Sequence, residues 1–515
     1  MTELPVRSLR GLARALPIGL VLCLVAAGCV RGEQSLSSGA KSTKPVTTSS
    51  LPPCPLAALD QAVAAGKGPV KVELWHALAG KSKDEIDQLT KAFNASQHKV
   101  QIESRSQGND YDEVLRKYQA GIPNRQLPAI AYIEDVNLRL MVDSGTVLPA
   151  ESCMKADGSD PGLLPAVKNY YTADGVFWPG YVNVSEPVLY FNVNHFKKAG
   201  LDPNKPPKTL DEVEADAKAL KKAGIAKPLA LKLDPWFVEC WINGAGALLV
   251  NKDNGRTGNP TAAEIQNPAA LKVFQWISRM VKEGLALPVA KVAGNVDQYL
   301  AVASQKSSML FETSTAATTI KAFLGGESIS GAGGVDTGGA TADLSALKPA
   351  AAPLPGLTQP GKVRVSGGAF YMTNTVSPAQ QAGAWMFMRY MQEVKNQVSW
   401  HLLGSYLPTT QAAANDPSVT KFWTDDLAGR MLKVGYGELL TIDPARPGPT
   451  IGPYPEYDDA LKNAMESMAF RGAAPEKALA GAQRDIGAAL TTYAQDNATT
   501  GPSTSGPAPT TKPGG

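Results

Sequence analysis

The chain has 515 residues, enough for two or three domains, and its 43% hydrophobic and 19% charged composition is that of a globular protein. A formal net charge of +3 gives no electrostatic case for nucleic acid as a partner. Four scattered histidines and no CxxC argue against a zinc site, and no cofactor or metal is expected.

Arg7, Arg10 and Arg14 precede an apolar run, Leu16 to Ala27, that is short for a bilayer span. Ala26-Ala27-Gly28-Cys29 closes the run and resembles a bacterial lipobox, which implies diacylation of Cys29. A plain secretory signal or an uncleaved anchor is the alternative. In each case the protein works outside the cytoplasm. Residues 1–28 are therefore assigned as signal peptide and 29–53, rich in Ser, Thr and Gly, as tether. In an oxidising compartment Cys54 and Cys153, both in loop-like sequence, are expected to pair. Cys240 lies in an apolar, aromatic stretch and reads as a buried thiol.

Val70 to Trp75 alternates as a strand. Ser82 and Glu85 read as a capping box for the helix after it. A strand over Val100–Glu103, a helix from Tyr111 and a strand over Ala129–Ile133 follow, the last leading into Glu134-Asp135. This alternation predicts a doubly wound α/β lobe. Ala79-Gly80-Lys81-Ser82 looks like the end of a phosphate-binding loop, but Trp75 stands where its first glycine belongs.

Ser185 to Gly224 is the most informative stretch. Val188 to Phe191 is a strand with Pro187 at its mouth. A short basic helix ends at Gly200, and Thr209 and Glu212 form a capping box for a helix that Gly224 closes. The ordered words LYFN, KKAGLDP and PPKTLDEVEADAKALK resemble the solute-binding proteins of ABC importers, in which an equivalent strand passes from one lobe to the other. Further matches follow in order: SMLFE at Ser308–Glu312, PLPG at Pro353–Gly356, Gly367-Gly368-Ala369-Phe370, and a loop with Tyr406-Leu407-Pro408. The resemblance covers roughly residues 70 to 495 and is nearest to the glycerol-3-phosphate-binding members, with sugar-binding members beside them.

The resemblance implies a type II periplasmic-binding-protein fold, α/β, with two lobes joined by hinge strands. Residues 54–186 and 308–370 are expected in lobe 1, with an inserted loop at 325–343. Residues 187–307 and 371–495 are expected in lobe 2, and 496–515 as a disordered tail. It also implies a small-molecule solute, an ABC permease as partner, a lipid anchor at the extracellular face, a monomer, and no enzymatic activity.

A two-lobed binder seats its ligand at the strand ends. That alone selects Trp75, His76, Glu134, Asp135, Trp236, Gly367 and Gly368. Carry-over from the glycerol-3-phosphate-binding family adds Tyr111, Ser185, Trp241, Ser314 and Tyr406, and favours Asp135 with Glu134 as the neighbouring alternative. The family's phosphate-binding arginine falls on Thr450 in GPTIGPYPE, with Arg446 four residues upstream. Loss of that fork-shaped donor points to a neutral carbohydrate or polyol, with glycerol 3-phosphate or a glycerophosphodiester kept open. A secreted glycosidase is the rival reading, but it needs two carboxylates facing each other across the sugar, and the sequence identifies no second acid. Glu239 reads as a solvated or salt-bridged acid, and His76 and His401 as structural residues.

Overall fold

The computed structural model describes residues 46–108, 110–292, 296–325, 346–359 and 363–499. The signal region with Cys29, almost all of the 325–343 insertion and the chain after 499 lie outside them. No helix among the described residues is long and apolar enough to cross a membrane.

The strands in chain order are β1 (Val70–His76), β2 (Val100–Ser106), β3 (Ile130–Glu134), β4 (Val147–Leu148), β5 (Thr172–Ala173), β6 (Val176–Phe177), β7 (Tyr181–Val184), β8 (Pro187–Asn192), β9 (Leu229–Leu233), β10 (Ala286–Ala290), β11 (Met309–Thr313), β12 (Pro349–Pro353) and β13 (Gly367–Thr373). They build two main sheets. The first runs β2-β1-β3-β13-β4, with β7 also paired to β13. The second runs β10-β9-β11-β8-β12, and β5 and β6 form a small hairpin.

Both sheets are mixed. β2, β1 and β3 are parallel, with a helix in each connection as parallel neighbours require, while β13 is antiparallel to β3. Likewise β10, β9 and β11 are parallel, and β8 is antiparallel to β11. The antiparallel members β8 and β13 are the strands that arrive from the other lobe, entering against the direction of the resident strands. They are buried on both faces, which explains their continuous apolar composition.

Strand pairing corrects the expected lobe boundaries. Ser308–Glu312 does not return the chain to the first lobe. Its strand, β11, pairs Met309 with Phe191 and with Leu229 inside the second sheet. The return is made by β13, where Ala369 pairs with Ile133 of β3. The Gly367–Phe370 strand therefore enters the first lobe instead of leaving it. The helices Pro378–Gln392 and Val394–Gly404 stay there, packed on β1 and on the helix Gly80–Ser96. Only from Leu427–Thr441 onward does the chain cover the second sheet, against β12 and β8. Two short apolar runs carry no local mark of which sheet each will join, so the sequence could not separate them.

The capping boxes at Thr209/Glu212 and Ser377/Gln380 are present. The one at Ser82/Glu85 is not. That helix begins at Gly80, so Ser82 falls inside the first turn and donates to the carbonyl of Gly404 at 2.7 Å. Glu85 is buried and accepts from Ser399 Oγ at 2.6 Å. Cys54 and Cys153 are joined by a disulfide, and Cys240 is a buried free thiol.

Candidate functional site

The ends of β3 and β9 and the crossing from β12 to β13 converge between the two lobes. Tyr111 opens the helix Tyr111–Gly121, whose N-cap Asp110 accepts from the Glu113 amide. Its hydroxyl lies 2.7 Å from that of Tyr132 on β3 and 3.2 Å from that of Tyr406. Tyr132 donates to Tyr406 at 2.9 Å, closing a triad of phenols. Burial pushes all three hydroxyls up, so each stays protonated and can both donate and accept. The Tyr132 ring covers Gly368, where a Cβ would stand 2.8 Å from it, so this close approach requires glycine. Trp400 stacks on Tyr406, and His401 Nδ1 bonds the Tyr406 carbonyl at 2.8 Å, fixing the loop.

Glu134 ends β3 and is half-buried. Burial pushes its carboxyl well up, Lys291 of the second lobe draws it down, and Asp135, Asp112 and Asp458 raise it further. Lys291 bonds Asp458 at 2.8 Å and Asp234 at 3.4 Å. Burial depresses Lys291, but the surrounding carboxylates lift it well above the usual range and keep it charged.

Asp135 is 2% exposed, and its acceptor sites are taken by the protein itself. Oδ2 accepts from Arg364 Nη1 at 2.6 Å and from the Tyr170 hydroxyl at 2.7 Å, and Oδ1 accepts from the Gly367 amide at 2.9 Å. Arg364 also donates through Nε to Glu239 Oε2 at 2.8 Å, while Tyr454 donates to Glu239 Oε1 at 2.7 Å. Burial pushes Glu239 up to about 7, opposed by Arg364 and Tyr454. Trp236 follows its N-cap Asp234 and is half-buried, with the indole N–H on Ser366 Oγ at 2.7 Å. Ser185 donates its amide to the Ser366 carbonyl at 3.1 Å, at the first crossing.

Three expected site residues stand elsewhere. Trp241 is buried among Phe237, Trp276 and Phe311, with its N–H on the Pro355 carbonyl, so it belongs to the core of the second lobe. Ser314 is fully buried at the hinge, where its Oγ accepts from the Glu186 amide at 3.2 Å. Arg446 is exposed and lines a shallow surface pocket with Asn243, Asp253 and Arg256. Thr450 is buried, and the guanidinium that abuts its segment is that of Arg256, bonded to the carbonyls of Gly448 at 2.6 Å and Tyr170 at 2.8 Å.

Sequence reasoning missed Tyr132, Tyr170, Arg364 and Tyr454, and left Glu239 without a partner. Glu239 carried a usable signal, since it lies three residues after Trp236 on one helix and so shares its face. Arg364, in Lys362-Val363-Arg364-Val365, carries no local mark that separates it from the neighbouring lysine.

Residues 88–428, more than half of the chain, match the family model for bacterial extracellular solute-binding proteins. The sn-glycerol-3-phosphate-binding periplasmic protein UgpB of Brucella abortus is 29% identical over 360 residues, spanning 68% of this chain and 77% of its own. UgpB of Yersinia pseudotuberculosis is 32% identical over 220 residues, 42% of this chain and 50% of its own. Among solved structures, UgpB from Mycobacterium tuberculosis in complex with glycerophosphocholine superposes with a TM-score of 0.66 at 18% identity, covering 82% of this chain and 98% of that one. The acarbose receptor GacH of Streptomyces glaucescens gives 0.65 at 18% identity over the same shares. The two-lobed fold of these binding proteins is the one built here from sheet pairing, and the chain belongs to the family of bacterial extracellular solute-binding proteins.

Proposed function

We propose that this protein captures a neutral carbohydrate or polyol between its two lobes and delivers it unchanged to the permease of an ABC importer. The observation that carries the reading is the convergence of the Tyr111, Tyr132 and Tyr406 hydroxyls beside Glu134, with the Trp236 indole at the crossing. Phenols and a carboxylate pair with solute hydroxyls, and aromatic faces pack on sugar C–H faces. Neutrality is favoured by Thr450 at the family's arginine position and by the guanidinia of Arg256 and Arg364 being engaged by protein carbonyls and carboxylates.

The second reading is a glycerol phosphate or glycerophosphodiester, favoured by the names of the curated relatives and by the ligand of the Mycobacterium tuberculosis structure. A thermal-shift panel of sugars, polyols, glycerol 3-phosphate and glycerophosphocholine decides between them. Stabilisation by a neutral member, with the compound recovered intact, supports the first reading. Stabilisation by the phosphates alone supports the second.

We further infer that Cys29 is diacylated and that the protein works as a monomer on the outer face of the membrane. Cys29→Ala is expected to move the protein from the membrane fraction to the medium, and retention in the membrane would contradict the anchor.

A further inference from the structure

Arg364 lies in the crossing between β12 and β13, with its side chain 2% exposed. Its guanidinium reaches into both lobes. Asp135 follows β3 of the first sheet, and Glu239 sits on the helix Pro235–Gly244, which follows β9 of the second. Each carboxylate is capped from other directions, Asp135 by Tyr170 and the Gly367 amide and Glu239 by Tyr454. Arg364 is thus the shared cation of two buried anions that belong to different lobes, at 2.6 and 2.8 Å. Parting the lobes must break one of these charge-assisted bonds. Removing the cation leaves two buried carboxylates held near each other without compensation.

We propose that Arg364 is an interlobe latch. Its guanidinium clasps the lobes through the protein's own side chains, so it sets the closed population in the absence of solute. The helper contacts act in the same sense. Arg256 of the second lobe donates to the Tyr170 carbonyl and lies 4.8 Å over the Tyr170 ring, and Asn169 Nδ2 donates to the Pro444 carbonyl at 2.9 Å.

The test is small-angle scattering on the solute-free protein, so it does not depend on which solute the cleft takes. The parent is expected to match the compact two-lobed form. Arg364→Ala and Glu239→Gln are each expected to expand it, through a loss of about 10- to 100-fold in the closed-to-open ratio, the scale of one charge-assisted bond. Low-millimolar methylguanidinium should return Arg364→Ala to the parent radius of gyration and leave the parent unchanged. A parent that is already extended without solute overturns the latch, as does a folded variant that stays as compact as the parent. If Arg364→Ala does not fold, Glu239→Gln decides. That variant preserves side-chain volume and removes one anion, so a compact, folded Glu239→Gln protein refutes the proposal.

Discussion

Acid should destabilise this protein through His401, in a way that a single substitution isolates. The ring is fully buried, with Nδ1 on the Tyr406 carbonyl at 2.8 Å and Nε2 receiving the indole N–H of Trp423 at 2.8 Å. A carbonyl can only accept and an indole can only donate, so the neutral ring with its proton on Nδ1 is the one form that satisfies both. Protonation would set two donors against each other. Burial accordingly lowers its pKa to about 4, with the Tyr406 carbonyl pulling weakly the other way. The ordinary value is about 6.5, so the folded protein binds fewer protons than the unfolded chain between about 4 and 6.5. The contribution is full above pH 6.5 and is lost as the pH falls through about 4, and the gap corresponds to about 3 kcal/mol. Urea denaturation of the parent and of His401→Gln across this window reads the effect. The variant pays a constant cost, and its stability should fall by about 3 kcal/mol less on acidification. His76, which burial also depresses to about 4, is present in both proteins and cancels. Parallel curves from neutral pH to pH 4 would refute the reasoning.

Gly367 has φ +131°, and a Cβ there would stand 2.3 Å from the Asn183 carbonyl oxygen, so Gly367→Ala should cost about 2–4 kcal/mol of unfolding free energy. Gly437, exposed in the helix Leu427–Thr441 with open space around it, is the control: Gly437→Ala should gain about 0.5–1 kcal/mol in the same urea assay. The Cys54–Cys153 disulfide closes a sequence separation of 99 residues, so Cys54→Ser with Cys153→Ser should lower stability by about 3–5 kcal/mol by urea denaturation. Glu438 is buried, its Oε2 has no protein partner, and burial pushes it up to about 8. Its contribution is present below pH 4.5 and lost as pH rises through about 8, so Glu438→Gln should be more stable than the parent at alkaline pH and lose that advantage at pH 5.

The hinge strand β8, the capping box at Thr209, and the strand-end position of Glu134-Asp135 were legible because each rests on local pattern. Lobe membership of β11 and β13 was not, since partner choice between two apolar strands is a tertiary decision. Trp236 and Trp241 illustrate the limit within one helix. Five residues apart, they point about 140° from one another, so one reaches the crossing while the other packs into the core. Asp135 was readable as a cleft acid, but its cation comes from 229 residues downstream in sequence, and no local pattern joins them.

The account stands or falls on where the solute sits. Isothermal titration of the compound that stabilises the parent, repeated on a Glu134→Gln and Tyr111→Phe double variant, tests this directly. The two substitutions remove a carboxylate acceptor and one hydroxyl of the phenol triad, and two lost hydrogen bonds should weaken binding by at least about 10-fold. Unchanged affinity in a folded double variant would place the solute elsewhere and contradict the account.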